Sequence, residues 1–214
     1  MLRFPDRAAA GRALAPRLMA HSEAPTVVLG VPRGGVVTAA PVAAALGALL
    51  AAVWVRKIAS SREPDVVLGA VDLDGDVTLA LETVRAEGLS DEEVAELAYH
   101  AHQRLSADWE RTPGLDATAL LPGCATAIVI DDAMCTGLTL RAAMRWVRRQ
   151  GARRVVLGVP IADARLWPRV AADADCAVTL EQRAGGPVAR SDVYEAYQRV
   201  PEAEMARFLE AQAS

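Results

Sequence analysis

Apolar residues in this chain come in short runs separated by stretches of helical spacing. Runs at 26–31, 51–57, 126–130, 155–159 and 176–180 read as strands, because a strand buried on both faces is apolar at nearly every position. Between them the period changes. Helices are predicted over 6–22, 37–46 (stopped by Gly47) and 137–150. Ser90-Asp91-Glu92-Glu93 is a capping box that opens a helix reaching about residue 111, with Val94, Leu97, Ala101 and Leu105 as its apolar stripe. Runs at 66–73 and 77–81 flank Asp74-Gly75, the signature of a hairpin turn. Residues 58–68, with Ser60, Ser61, Arg62, Glu63, Pro64 and Asp65, read as a long polar loop that is flexible. From about residue 181 the chain is turn-rich, and a short helix follows Pro201. Strands alternating with helices predict an α/β fold: a doubly wound, mostly parallel sheet flanked by helices. The expected division is a core over 1–180 and an appendage over 181–214 packed on it.

Bulk properties narrow this picture. A chain of 214 residues suits one α/β domain with a small appendage, and 52% hydrophobic with 23% charged residues is ordinary for a globular protein. The net charge of −4 supplies no global basic field, so no nucleic-acid partner is expected. Cys124, Cys135 and Cys176 are odd in number, widely spaced and without metal-ligand pattern, which suggests a reducing cytoplasm. The N-terminus shows no secretory apolar core. Residues 36–55 are apolar over a length that can span a bilayer, but Pro41 and Gly47 interrupt them. A buried helix followed by a buried strand explains them without a membrane.

The chemistry concentrates in Ala127-Ile128-Val129-Ile130-Asp131-Asp132-Ala133-Met134-Cys135-Thr136-Gly137-Leu138-Thr139. An apolar strand ends in two carboxylates, then a short loop with two hydroxyls and a glycine leads into a helix. Adjacent acids at a strand end can accept hydrogen bonds from vicinal hydroxyls. The loop N–H groups, Thr136, Thr139 and the helix N-terminus can surround a phosphate. The bland alternative is a buried strand followed by an acidic helix cap. Gly30-Val31-Pro32-Arg33-Gly34-Gly35 also joins a strand to a helix. Its glycines can expose N–H groups and Arg33 can fork onto phosphate oxygens, although a plain tight turn reads equally well. Lys57, in Val55-Arg56-Lys57, is the single lysine among 23 basic residues, which suggests a need for a compact charge on a flexible stem. A solvated strand end is its alternative.

The strand, acid pair and Thr136-Gly137-x-Thr139 resemble the PRPP-binding signature of the type I phosphoribosyltransferases. Arg33-Gly34-Gly35 is similar to that family's pyrophosphate loop, and Arg56-Lys57 to the pair that precedes the mobile catalytic loop in its orotate and adenine enzymes. The central helix and the tail ending Tyr194-x-x-Tyr197 look most like a bacterial group of these enzymes with no assigned substrate. The resemblance implies transfer of ribose 5-phosphate from PRPP to a small nitrogenous acceptor with release of pyrophosphate. Asp131 and Asp132 would hold the ribose hydroxyls and, indirectly, Mg²⁺ through those hydroxyls or water. Ala133, Met134, Cys135, Thr136, Gly137, Leu138 and Thr139 would bind the 5′-phosphate; Arg33, Gly34, Gly35, Arg56 and Lys57 would meet pyrophosphate. The polar loop would close as a lid, with Glu63 as a further acid–base candidate. The appendage would be the family's C-terminal hood. The resemblance leaves room for a homodimer. In the hypoxanthine and guanine enzymes the residue before Thr-Gly is an Asp placed to handle the purine N7 proton. Cys135 stands there here, which points away from a 6-oxopurine acceptor. A non-catalytic or regulatory PRPP-binding protein, or a nucleotide-binding or phosphatase-like α/β protein, would share the strand-end acids.

Two features are discounted. His100 and His102 at i and i+2 point to different sides of a helix and make a poor chelate. Arg145, Arg148, Arg149, Arg153 and Arg154 gather at a helix C-terminus, where the macrodipole favours cations, and read as a solvated face.

Overall fold

The structure is a computed structural model that describes residues 1–112, 114 and 116–211; the last three residues of the expected appendage lie outside the described residues. In chain order the elements are α1 (Arg7–Met19), β1 (Thr26–Gly30), α2 (Gly34–Leu46), β2 (Leu49–Ala52), β3 (Val55–Ala59), β4 (Val67–Asp72), β5 (Val77–Leu79), α3 (Leu81–Ala86), α4 (Asp91–Arg111) and α5 (Ala117–Leu120). There follow β6 (Thr126–Ile130), α6 (Leu138–Arg149), β7 (Val155–Asp163), α7 (Trp167–Ala171), β8 (Cys176–Arg183), α8 (Arg190–Val193) and α9 (Glu202–Glu210).

A five-stranded sheet in the order β2-β1-β6-β7-β8 is parallel throughout. The two-residue period of its strands sends alternate side chains to opposite faces. Val28, Ile128, Ile130 and Val156 face Leu14, Leu18, Val42 and Leu105 of α1, α2 and α4. Val27, Leu29, Ala127, Val129 and Leu157 face Ala117, Met144, Trp146 and Val170 of α5, α6 and α7. Both faces are therefore covered, which is why the strands carry unbroken apolar runs. A second sheet, β3-β4-β5, is antiparallel.

Several boundaries differ from the expectation. The run 51–57 is two strands. Val53 donates to the Gly30 carbonyl at 3.0 Å, and the chain then leaves the parallel sheet to pair β3 with β4. Val53, Trp54 and Val55 stay buried across the change, so hydrophobicity shows no break. With β3 reaching Ala59 and β4 starting at Val67, the expected loop shrinks to 60–66. It is tied down, since Ser60 Oγ donates to Glu87 at 2.5 Å and Arg62 donates to the Glu87 carbonyl. β7 continues through Pro160 to Asp163. Pairing with β6 ends at Gly158, so a residue without an N–H fits beyond it. On α4, Ala98 rather than Leu97 completes the buried stripe, and the capping box forms as expected. The short helices α3, α5, α7 and α8 carry too few turns for a periodic signal. α2 begins at Gly34, contains Pro41, and ends at Gly47 with φ of 60°. No helix of the described residues is long and apolar enough to cross a membrane.

Candidate active site

The C-terminal ends of β1 and β6 lie side by side, with Gly30 paired to Ile130, so the two glycine-containing loops open at one sheet edge. They border a cavity of about 660 Å³. Arg33, Gly34, Lys57, Asp131, Asp132 and Thr139 line it, as do Arg7, Arg56, Arg190 and Arg199. A narrow cleft adjoins it, bounded by Ala133, Met134, Cys135, Thr136, Gly137 and Thr139, with Lys57, Asp131 and Arg190 shared. The cleft is the loop between β6 and α6. Gly137 caps α6 with φ of 74°, and a Cβ there would stand 2.4 Å from Val170 Cγ2, so only glycine fits. The N–H groups of Cys135, Thr136 and Gly137 make no hydrogen bond among the described residues. Gly34 and Gly35 have a packing reason as well. A Cβ on Gly34 would lie 2.2 Å from Asp132 Oδ2, and one on Gly35 would lie 2.6 Å from the Ile130 carbonyl oxygen.

The acid pair is buried, with Asp131 5% and Asp132 2% exposed. Asp132 is held from three sides: Oδ2 accepts from Arg7 Nε at 2.9 Å, Oδ1 from Arg190 Nε at 2.6 Å, and its carbonyl from the Tyr194 hydroxyl at 2.5 Å, which leaves each carboxylate oxygen further acceptor capacity. Burial alone would raise its pKa, but the Arg190 and Arg7 charges and hydrogen bonds outweigh it and hold the carboxyl below the usual range. Asp131 accepts the Asp132 N–H at 2.8 Å and stands 4.0 Å from Arg190. Burial, then the neighbouring Asp132 charge, pushes its pKa up to about 7. Arg190 is likewise burdened by burial, and the two carboxylates more than offset this.

The structure gathers most of the sequence-derived candidates. Arg33, Gly34, Arg56, Lys57, Asp131, Asp132 and Thr139 share the cavity, and Ala133, Cys135, Thr136 and Gly137 the cleft. Met134 also borders the cleft, although its N–H goes to the Ile161 carbonyl and its side chain is buried. Others fall aside. Gly35 is buried behind Gly34. Leu138 packs into the core. Glu63 is exposed on the 60–66 connection and borders neither space. Arg56 forms an ion pair with Asp108 of α4. The burial of the Cys135 thiol raises its pKa, and the protonated thiol donates to the Val188 carbonyl at 2.7 Å.

Sequence reasoning missed Arg7, Arg190 and Asp108, whose roles come from contacts 125, 58 and 52 residues away in the chain. Tyr194 and Tyr197 are now separable: Arg7 lies 5.1 Å from the first ring and 5.4 Å from the second, and only Tyr197 borders the cavity. The discounted histidines stay apart, His102 facing the Leu73 carbonyl and His100 facing Glu96. Within the arginine cluster, Arg149 pairs with Asp72, Asp74 and Asp76, and Arg148 with Asp175.

Asp131 and Asp132 offer hard oxygen ligands, but no group of three or more candidate ligand side chains assembles among the described residues. The arrangement fits Mg²⁺ carried on ligand oxygens, with the acid pair acting through hydroxyls or water.

The profile of the phosphoribosyl transferase domain matches residues 2–192. The chain is 37% identical over 185 residues to a Mycobacterium tuberculosis protein provisionally named a phosphoribosyl transferase, found in two strains. That match covers 83% of this chain and 40% of the relative, so the chain spans about two-fifths of the curated relative's length. A crystal structure of TT1426 from Thermus thermophilus superposes over the whole of both chains, with a TM-score of 0.76 and 33% identity.

Proposed function

This chain belongs to the phosphoribosyl transferase family, and from that premise we propose that it binds PRPP and moves ribose 5-phosphate onto a nitrogenous acceptor, releasing pyrophosphate. The observation that carries the reading is one sheet edge holding a buried acid pair, a loop with unpaired N–H groups, and the cations Arg33 and Lys57. In the reaction the C1–O bond to pyrophosphate breaks and its electron pair leaves with pyrophosphate. The acceptor nitrogen's lone pair forms the new C1–N bond, and the acceptor's proton passes to a base or to water. Asp131 and Asp132 accept hydrogen bonds from the ribose hydroxyls. Thr136, Gly137, Thr139 and the first turn of α6 hold the 5′-phosphate. Arg33, Gly34 and Lys57, with Arg56 behind them, meet the pyrophosphate and stabilise the charge that develops on it. Mg²⁺ carried on the ligand would supply positive charge against the leaving pyrophosphate, with Asp131 and Asp132 holding it indirectly through hydroxyls or water. Glu63 takes part only if the 60–66 connection folds over the cavity. The segment that follows β8 acts as the hood that covers the acceptor and keeps water from the reacting carbon.

Calorimetric titration with PRPP and Mg²⁺, followed by a base panel scored for pyrophosphate release, tests this. Asp131→Asn is the cleaner variant, because Asp132 also neutralises Arg7 and Arg190. Loss of a charged hydrogen bond costs about 1.5–3 kcal/mol, so PRPP affinity should fall tenfold or more. Wild-type affinity in Asp131→Asn would sink the assignment of the acid pair.

A further inference from the structure

Resting on the reading above, we propose that Arg190 is a phosphate-binding residue of this site: it holds the acid pair through Nε and gives the outer edge of its guanidinium to the 5′-phosphate in the loop after β6. Two cations share Asp132, and they differ in what they have left to offer. Arg7 is committed. Its Nε serves Asp132, its Nη1 donates to the Gln198 carbonyl at 3.0 Å, two tyrosine rings face its guanidinium, and its side chain is 9% exposed. Arg190 is not committed. Its Nε alone is spent, on Asp132 at 2.6 Å; Nη2 stands 4.0 Å from Asp131, beyond hydrogen-bond reach. Neither terminal nitrogen makes a hydrogen bond among the described residues, and the side chain is 25% exposed. A guanidinium carries five N–H donors in one plane, so a forked face remains, the geometry that matches two phosphate oxygens.

Position supplies the second argument. Arg190 borders both the large cavity and the cleft formed by Cys135, Thr136 and Gly137. The backbone two residues before it is pinned to that loop by the Cys135 thiol on Val188. One side chain thus stands between the carboxylates that would take the sugar hydroxyls and the N–H groups that would take the phosphate. A sugar phosphate that reaches both would meet Arg190 on the way. The residue comes from α8, late in the chain, so the tail supplies a binding group as well as cover.

The test uses the full chain and two probes in the presence of Mg²⁺, ribose 5-phosphate and inorganic pyrophosphate, titrated into wild type, Arg190→Ala and Arg190→Lys. The proposal expects ribose 5-phosphate to bind about tenfold or more weakly in Arg190→Ala, and several-fold more weakly in Arg190→Lys, which keeps charge but loses the fork. Pyrophosphate affinity should change far less, so the ratio of the two affinities shifts. Equal or tighter ribose 5-phosphate binding overturns the proposal, because Arg190 would then be a bystander or a competitor for the acids. Parallel loss of both probes also overturns it. If Arg190→Ala does not fold, the ratio in Arg190→Lys decides. A wild type that binds neither probe defeats the proposed function itself and this inference with it.

Discussion

Asp131 and Asp132 are neighbours in sequence and opposites in electrostatics, because two arginines reach one of them and burial dominates the other. This has a pH signature. Asp131 titrates near 7 when folded, above its ordinary 3.8. Between those values the folded protein holds a proton that the unfolded chain has released, so stability falls as pH rises from about 4 to about 7, by up to about 1.4 kcal/mol per unit. Asp132 works the other way: its contribution is present above pH 3.8 and is lost as pH falls from there through its depressed value. Urea unfolding at pH 5 and pH 8 should show a smaller difference in Asp131→Asn than in wild type; an undiminished difference would rule out this titration. Lys57 is exposed, borders both spaces and makes no ion pair among the described residues. Lys57→Arg should weaken pyrophosphate binding several-fold with an unchanged melting temperature, since a planar fork does not replace a compact ammonium at a shaped site. Calorimetry with pyrophosphate checks it, and undiminished affinity would return Lys57 to the solvated surface.

At the scale of elements, the site depends on how tightly α2 presses against the end of β6. Gly35 lies in the first turn of α2, where alanine would ordinarily gain up to about 1 kcal/mol of helix propensity. Here the new methyl would meet backbone, 2.6 Å from the Ile130 oxygen and 3.0 Å from Asp131 Cα. Gly35→Ala should therefore destabilise by about 1–3 kcal/mol. A thermal melt equal to or above wild type would show that the helix can retreat. The glycine's presence was legible in the sequence, but its reason was not. Gly34-Gly35 reads as a ligand-facing turn, and only the packed structure reveals that half of the motif serves the contact between two elements. The strand at 126–130, the capping box and the hairpin were legible because each is encoded by residues within a few positions. The split at 53–54 was hidden, since hydrophobicity marks burial and does not say which sheet a strand joins.

Across the whole molecule, the two ends of the chain close around the site. Phe4 exchanges backbone hydrogen bonds with Val193 and Glu195, and Arg7 and Arg190 arrive from opposite termini onto one carboxylate. The tail also engages Cys135 through Val188, and burial keeps the thiol protonated. A protonated thiol occupied by a carbonyl is a poor substitute for a carboxylate at the position before Thr-Gly. Hypoxanthine, guanine and xanthine should therefore be poor acceptors. Incubation with PRPP and Mg²⁺, followed by assay for nucleotide, checks this, and efficient turnover of any of the three would contradict it.

The sequence by itself determined the alternation of strands and helices, the ligand loop and its acid pair, and the family resemblance, because these are written in contiguous residues whose spacing is the signal. Tertiary structure alone decided the charge state of each acid, the pairing of Arg56 with Asp108, and the roles of Arg7 and Arg190. It also left Glu63 outside the cavity and tied the expected lid to Glu87. Those facts depend on groups that lie tens of residues apart and meet only when the sheet edge assembles. In a chain whose basic residues are nearly all arginine, no local pattern marks which arginine will stand beside a buried carboxylate. Burial and proximity shift a pKa, and both are properties of the packed molecule.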